Sequence, residues 1–382
     1  MEKKVAKKNK NITRRSLIKA ATIAGAAAVI TSCDNNSQIG TPENPDKATV
    51  NINPKFKWKM VTTWPKNFPG LGTGAQRIAD SITSMTNGDL EINLYAGGEL
   101  VPPFECFDAV REGKAEMAHS AAYYWVNKHK SAPFFCTVPG GLTVQEHNAW
   151  IYHGGGQKLW DELYGQFGIR AFLAGGSGVQ MGGWFQKEIN SLTDLKGIKM
   201  RIPGLGAEVI NRLGGTAVNM PGGEIMPALQ AGVIDATEWV GPWNDLAFGF
   251  YKVAKYYYGP GFHEPNSALE CLINRSSYDS LPSSFQEIVK QACTAENANM
   301  PAEFSAHNSG SQEKLINQHQ VDIRHFPQEV TEKAFKISED IVKETADVDM
   351  LSKKIFESWW NFRNKIIKRA PYAEMGFMQL RS

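Results

Sequence analysis

Between Gly197 and Val240 the apolar positions change period several times. Ile198–Ile202 is a short apolar-rich run cut off by Pro203-Gly204, which predicts a strand. Ala207–Leu213 follows with helical spacing and stops at Gly214-Gly215. Ala217–Met220 predicts a second strand, Glu224–Ala231 a second helix closed by Gly232, and Ile234–Val240 a third strand. Strands alternating with short helices imply parallel pairing, and open α/β sheets bind ligands beyond the carboxyl ends of their strands. Arg201 and the pair Glu238-Trp239 fall at two of those ends. A guanidinium holds a carboxylate through two parallel hydrogen bonds. A Glu enclosed beside it calls for a counter-cation. On this reading Arg201 faces an open, wet cleft.

The same periodicities organise the rest of the chain. Phe56–Thr63 alternates as an opening strand, and Trp64–Gly70 with its two prolines forms a rigid loop after it. A helix over about 73–85 ends at Asn87-Gly88, and Asp89–Tyr95 is the next strand. Phe104–Glu112 reads as helix and Ala115–Ala122 as a buried strand of small residues leading to Tyr123-Tyr124-Trp125. His147 to Gly168 is an amphipathic helical pair interrupted by Gly154-Gly155-Gly156. Arg170 to Phe185 is strand material carrying five glycines, which mark bends or close backbone approach. Gln180 lies in this stretch, and its amide offers one acceptor and two donors. A helix near Asp245–Tyr251 precedes the aromatic run Tyr256–Tyr258, and Ala268–Asn274 is a further strand. A long helix spans about 283–318, with a break or kink expected at Pro301. A short strand at Val321–His325 and helices over about 328–345 and 350–367 close the chain. In the last of these, Ile355, Trp359, Phe362 and Ile366 share one face.

Composition changes this picture at the amino terminus. Eight of the 41 Lys and Arg residues fall in the first 32 positions with a single Glu, so the formal net charge of +2 hides an acidic remainder. An acidic body gives no support for nucleic-acid binding. Ile12–Ile18 contains Arg14-Arg15 in a twin-arginine pattern ahead of the apolar run Ala20–Ile30, which is too short for a dependable membrane span. The run ends in Ile30-Thr31-Ser32-Cys33, which resembles a bacterial lipobox and makes Cys33 the lipidated first residue of an exported protein. Residues 1–33 are thus a targeting segment and 34–55, polar with several prolines, a tether. The remaining cysteines, Cys106, Cys136, Cys271 and Cys293, show no zinc-type spacing and are expected as buried free thiols.

The stretch MRIPGLGAEVINRLGGTAVNMPGGEIMPALQAGVIDATEW resembles the signature region of TRAP transporter extracytoplasmic solute receptors (DctP-type), within them the branch that binds 2-oxo acids or lactate. The resemblance runs over nearly the whole chain after about residue 56. It implies an α/β, two-lobe periplasmic-binding-protein-like fold with hinge-crossing strands and a helical C-terminal extension. Lobe I would be 56–178 and 268–325, lobe II 179–267, and 326–382 a set of C-terminal helices that form a dimerisation element. It further implies that Arg201 clamps a small carboxylate, that Phe68 and Tyr124 wall the ligand, and that Gln180, Glu238 and the Trp239 carbonyl hold a cation. Glu264 is a further candidate ligand for that cation. Oxygen ligation suits Na⁺ or Ca²⁺. The implied partners are a TRAP permease, a second copy of the chain in a homodimer, and the membrane through lipidated Cys33.

Two other function classes stay open on the sequence: a sensory receptor of the same fold, and a secreted esterase. For the esterase, His153–Gly156 resembles an oxyanion-hole phrase, and Ser177, Asp235 and His263 follow in the order of that hydrolase fold. The nucleophile elbow fails, because Val179 stands where its last glycine belongs. Gly70–Gly74 is one residue short of dinucleotide spacing. No enzyme is therefore expected. Pyruvate, a longer 2-oxo acid, lactate and a mannitol-like polyol all remain open as ligands.

Overall fold

The computed structural model describes residues 53–382. The targeting segment, Cys33 and most of the tether lie outside the described residues. The chain opens with β1 (Phe56–Thr62), α1 (Leu71–Met85), β2 (Leu90–Tyr95), α2 (Cys106–Arg111), β3 (Met117–Ser120), α3 (Val144–His153), α4 (Gly156–Gly165) and β4 (Ile169–Gly176). Next come β5 (Gly183–Phe185), β6 (Lys199–Arg201), α5 (Gly204–Arg212), β7 (Thr216–Val218), α6 (Gly222–Gln230), β8 (Ala236–Thr237), α7 (Pro242–Phe248) and β9 (Tyr256–Tyr258). The last part holds β10 (Ala268–Asn274), α8 (Arg275–Asp279), α9 (Ser283–Asn317), β11 (Asp322–Arg324), α10 (Gln328–Glu344), α11 (Met350–Arg369) and α12 (Glu374–Arg381).

These strands make two sheets, one per lobe. The first has the order β2-β1-β3-β10-β4 and the second β11-β9-β5-β8-β6-β7. In the first, β1 alternates Lys57 and Lys59 outward with Trp58 and Met60 inward, where they meet Ile78 and Ile82 of α1. In the second, β6 is flanked in parallel by β7 and β8, as alternating strands and helices require. The chain leaves the first sheet after Gly176 and enters the second at Gly183, then returns between Tyr258 and Ala268. Two connections therefore cross side by side, tied by Ser177 N–H donating to the Ser267 carbonyl and Gln180 N–H to the Glu264 carbonyl.

Several expectations need correction. The strand expected at Val321–His325 pairs in parallel with β9, so it belongs to the second sheet and lobe I does not extend through 325. The third strand of the Gly197–Val240 segment shrinks to Ala236–Thr237, because Glu238 onward turns toward the site. Helix α9 runs through Pro301 without a break. Its ring and Met300 seat on Gly175 and Gly176, where an added Cβ would lie 2.6 Å from the Met300 sulfur and 3.4 Å from the Pro301 ring. The glycines at the end of β4 thus let the helix approach, and packing holds what a proline would loosen. The aromatic run Tyr256–Tyr258 is itself a strand, and α12 had no sequence signal strong enough to predict it.

The C-terminal helices embrace both lobes. Helix α10 is clamped to α5 by Arg212, which meets both Glu344 oxygens at 2.8 and 2.6 Å. Helix α11 packs on lobe I, with Trp359 edge-on to Phe134 and Ser358 accepting from Trp150 Nε1 at 3.2 Å. Ile355 and Trp359 of the expected dimer-facing stripe are therefore buried within their own chain. The four cysteines among the described residues, Cys106, Cys136, Cys271 and Cys293, are free and buried.

One buried carboxyl in this frame has a pH consequence. Glu270 of β10 accepts from Trp125 Nε1 at 2.5 Å and Tyr164 Oη at 2.9 Å. Burial pushes its pKa up to about 8 despite both donors, and burial likewise lifts Asp245 to about 7. A folded-state value above the unfolded one means that the native protein holds more protons, so stability falls as pH rises through this window. We expect the unfolding free energy to decline between about pH 5 and 8, and Glu270→Gln to flatten part of that decline. Denaturant titrations across the range would show it; equal slopes in both proteins would contradict the burial argument.

Candidate functional site

The two parallel strand ends converge as the sequence pattern requires. Arg201 is the last residue of β6, Glu238 directly follows β8, and Glu238 N–H donates to the Arg201 carbonyl at 3.1 Å. The two side chains form an ion pair between Arg201 Nη1 and Glu238 Oε1. Arg201 is 1% exposed and Glu238 fully enclosed. Arg201 Nε donates to the Met220 carbonyl at 3.2 Å, and Nη2 reaches the Tyr124 hydroxyl of lobe I at 3.4 Å. Its guanidinium also lies over the Trp239 ring at 5.1 Å. Burial opposes the Arg201 charge, but Glu238 with Tyr124 and Tyr123 more than offsets it, and the pKa rises.

This overturns two expectations. Arg201 does not face an open, wet cleft, since lobe I closes over it. Glu238 does not need a cation to cancel its charge, since Arg201 does so from within the same lobe. Its second oxygen faces His263 Nε2 at 3.3 Å. The carboxyl with an unpartnered oxygen is Glu264. It is 2% exposed, its Oε2 has no hydrogen-bond partner, and burial together with the Glu238 charge drives its pKa well above the usual range. Nearby, Gln180 donates from Nε2 to Ser177 Oγ at 3.1 Å while its Oε1 has no partner.

Glu238, His263 and Glu264 offer ligand atoms within 4.8 Å of one another. Two buried acceptors without donors, on Gln180 and Glu264, are what a cation would satisfy. His263 is the member that sequence reasoning missed. The phrase Phe262-His263-Glu264-Pro265 held the signal, but its approach to Glu238 depends on the second crossing.

The aromatic walls come from both lobes. Phe68, on the loop after β1, lies 4.4 Å from Phe248 and 6.1 Å, edge-on, from Trp239. Tyr124 lies after β3, meets Tyr123 edge-on at 4.7 Å and lies tilted against Phe104 at 4.7 Å. Trp64, which the sequence did not single out, meets Trp239 edge-on at 6.4 Å, and His119 Nδ1 accepts from its Nε1 at 2.8 Å. Trp239 can lie flat only because residue 222 is glycine: a Cβ there would fall 2.5 Å from the indole. Across the lobes, Asn244 Nδ2 donates to the Pro69 carbonyl at 3.0 Å. Every expected ligand-side residue is therefore drawn to one place where the lobes meet.

Residues 60–348 match the family model of the bacterial extracellular solute-binding proteins, family 7 (DctP). The chain belongs to this family. It is 40% identical, over 92% of its length and 94% of the relative's, to a Nostoc protein named as a monocarboxylate 2-oxoacid-binding periplasmic protein. A TRAP transporter solute-binding protein of Bordetella bronchiseptica, 35% identical, superposes with a TM-score of 0.84 over 86% of this chain and 98% of that one. That structure is described as a dimer with calcium and picolinate in one site and the other apo. Another from Pseudoalteromonas atlantica, 38% identical with a TM-score of 0.82 over 85% and 98% of the chains, holds sodium and pyruvate. A third, from Colwellia psychrerythraea, has the same identity and TM-score over 85% and 99%, and holds calcium and pyruvate.

The receptor is accordingly a non-enzymatic, extracytoplasmic component of a TRAP transport system. Among its described residues no helix is long and apolar enough to cross a membrane. Its geometry also dissolves the esterase constellation. The Ser177 hydroxyl donates to the Gly178 carbonyl and accepts from Gln180 and Ser267 N–H, Asp235 accepts from Lys199 N–H, and His263 turns to Glu238. Because Arg201 and Glu238 sit in one lobe, their pairing does not depend on closure. Arg201→Ala should therefore destabilise even ligand-free receptor, by roughly 3–5 kcal/mol, and adding Glu238→Gln should recover much of that. Melting of the two variants decides it; an unshifted single variant would mean that the pair is not desolvated.

Proposed function

We propose that the receptor captures a small monocarboxylate, a 2-oxo acid such as pyruvate or else lactate, together with a metal cation, and delivers it to a TRAP permease. The observation that carries this reading is a buried guanidinium at the lobe junction beside two unpartnered acceptor oxygens. Arg201 clamps the carboxylate with the edge that faces Tyr124, its other donors being held by Glu238 and Met220. Phe68, Tyr124 and Trp239 form the walls. Gln180, Glu238, Glu264 and the Trp239 carbonyl hold a Na⁺ or Ca²⁺ ion, which offsets the enclosed negative charge. The names of the Nostoc, Pseudoalteromonas and Colwellia relatives support both the ligand class and the cation. Lobe I comprises 56–178 with β10 and α9, lobe II 179–267 with β11, and the crossings between them act as the hinge.

Two features of setting belong to the same reading. Cys33 anchors the mature receptor to the membrane through lipid. The C-terminal helices mediate a homodimer, with α12 as the contact rather than the α11 stripe; the Bordetella relative is described as a dimer. Phe377 and Leu380 of α12 are 61% and 87% exposed, a face with no cover in a single chain.

Titration calorimetry with pyruvate tests the clamp. Losing one partner of a desolvated charge pair costs about 2–5 kcal/mol, so Arg201→Ala should weaken binding by roughly 30-fold or more. Arg201→Lys should restore part of this, since an ammonium keeps the charge and loses the planar fork. Binding within about threefold of wild type in the folded Arg201→Ala, Glu238→Gln receptor would place the clamp elsewhere. Chelation and ion exchange should weaken pyruvate binding in the wild type; equal affinity in ion-free buffer would remove the cation from the account.

A further inference from the structure

The indole of Trp239 carries a donor that no described residue uses. Buried tryptophans normally find an acceptor for their N–H, and four others here do. Trp64 Nε1 donates to His119 Nδ1 at 2.8 Å, Trp125 Nε1 to Glu270 at 2.5 Å, Trp150 Nε1 to Ser358 Oγ at 3.2 Å and Trp184 Nε1 to Asp245 at 2.9 Å. Trp239 is 4% exposed, yet its Nε1 is buried without a hydrogen-bond partner. Its edge-on neighbours are the rings of Trp64, Phe68 and Phe248, at 6.4, 6.1 and 5.2 Å, and none of these rings offers an oxygen. The benzo end of the indole abuts Gly222, so Nε1 lies toward the other end of the ring system. An enclosed N–H left bare is costly, and a ligand that brings an acceptor removes that cost.

Arg201 fixes which part of a ligand comes to the indole. Its guanidinium lies over the Trp239 ring at 5.1 Å, with Nη2 toward the Tyr124 hydroxyl. A carboxylate held at this edge takes its hydrogen bonds from Arg201 and Tyr124. Carbon 2 and its substituent come next along the ligand, beside the indole. We infer that the Trp239 N–H donates to the oxygen on carbon 2 of the bound monocarboxylate, which makes Trp239 the residue that selects 2-oxygenated acids. The inference rests on the receptor reading above and adds to it the group that reads carbon 2. An indole N–H only donates. A 2-oxo or 2-hydroxy oxygen accepts that bond, an unsubstituted acid such as propionate leaves it unmade, and a 2-ammonium group sets donor against donor. A site with a buried group made for one substituent rejects the analogue that lacks it.

Calorimetry with pyruvate and with propionate, in cation-replete buffer, tests this on two altered receptors. One is Trp239→Phe. The other carries 3-benzothienylalanine at position 239, which keeps the shape of the indole and puts sulfur in place of the N–H. In both, the preference for pyruvate over propionate should shrink about tenfold. The loss should fall on pyruvate, with propionate within about threefold of its wild-type affinity. The isosteric replacement keeps the test valid if the Phe variant does not fold. Equal losses for the two ligands, or none for either, would overturn the inference. The N–H would then serve the carboxylate, or a water shared with Asn244, whose Oδ1 also lacks a partner. A wild-type receptor that binds neither pyruvate nor lactate would overturn the receptor reading itself.

Discussion

A buried ion pair fixes the chemistry of this receptor. Arg201 and Glu238 come from neighbouring parallel strands, and neither could be enclosed without the other. Their pairing leaves Arg201 with one edge toward lobe I, where Tyr124 waits, while burial and the Glu238 charge hold the pKa of the neighbouring Glu264 carboxyl well above the usual range. The second sheet thus presents a pre-oriented guanidinium before any ligand arrives. Pre-orientation of this kind lowers the ordering cost of binding.

What lobe I contributes is exclusion of water. Phe68 and Trp64 close onto Trp239 and Phe248, and hydrogen bonds from Asn244 to the Pro69 carbonyl and from Arg201 to the Tyr124 hydroxyl accompany them. Aromatic contacts of this sort are strong enough to favour closure and few enough to be undone, which suits a protein that must release its cargo. The helical extension follows both lobes, α10 on α5 and α11 on the first sheet's helices. The turn over 345–349 between them therefore spans the moving parts.

Much of this was legible in the sequence because it depends on local period. The parallel order around β6, the glycine stops and the strand-end positions of Arg201 and Glu238 all follow from alternation and punctuation between residues 197 and 240. The failures share a different origin. The membership of β11 in the second sheet, the unbroken path of α9 through Pro301 and the His263–Glu238 contact are set by residues far apart in the chain. The pairing of Glu238 with Arg201 was out of reach for the same reason. A sequence shows that Arg201 and Glu238 are both at strand ends, but not that their strands are adjacent, so their ion pair could be read only from the sheet order.

The central claim is that this junction encloses a carboxylate with a cation. The direct measurement is the identity of what leaves the freshly purified wild-type protein on denaturation, by mass spectrometry of the small molecule and elemental analysis of the metal. The account predicts a 2-oxo acid or lactate and a metal ion in near-equal amounts, both depleted in Arg201→Ala. A neutral polyol or an amine, released with no metal and retained by the variant, would contradict it.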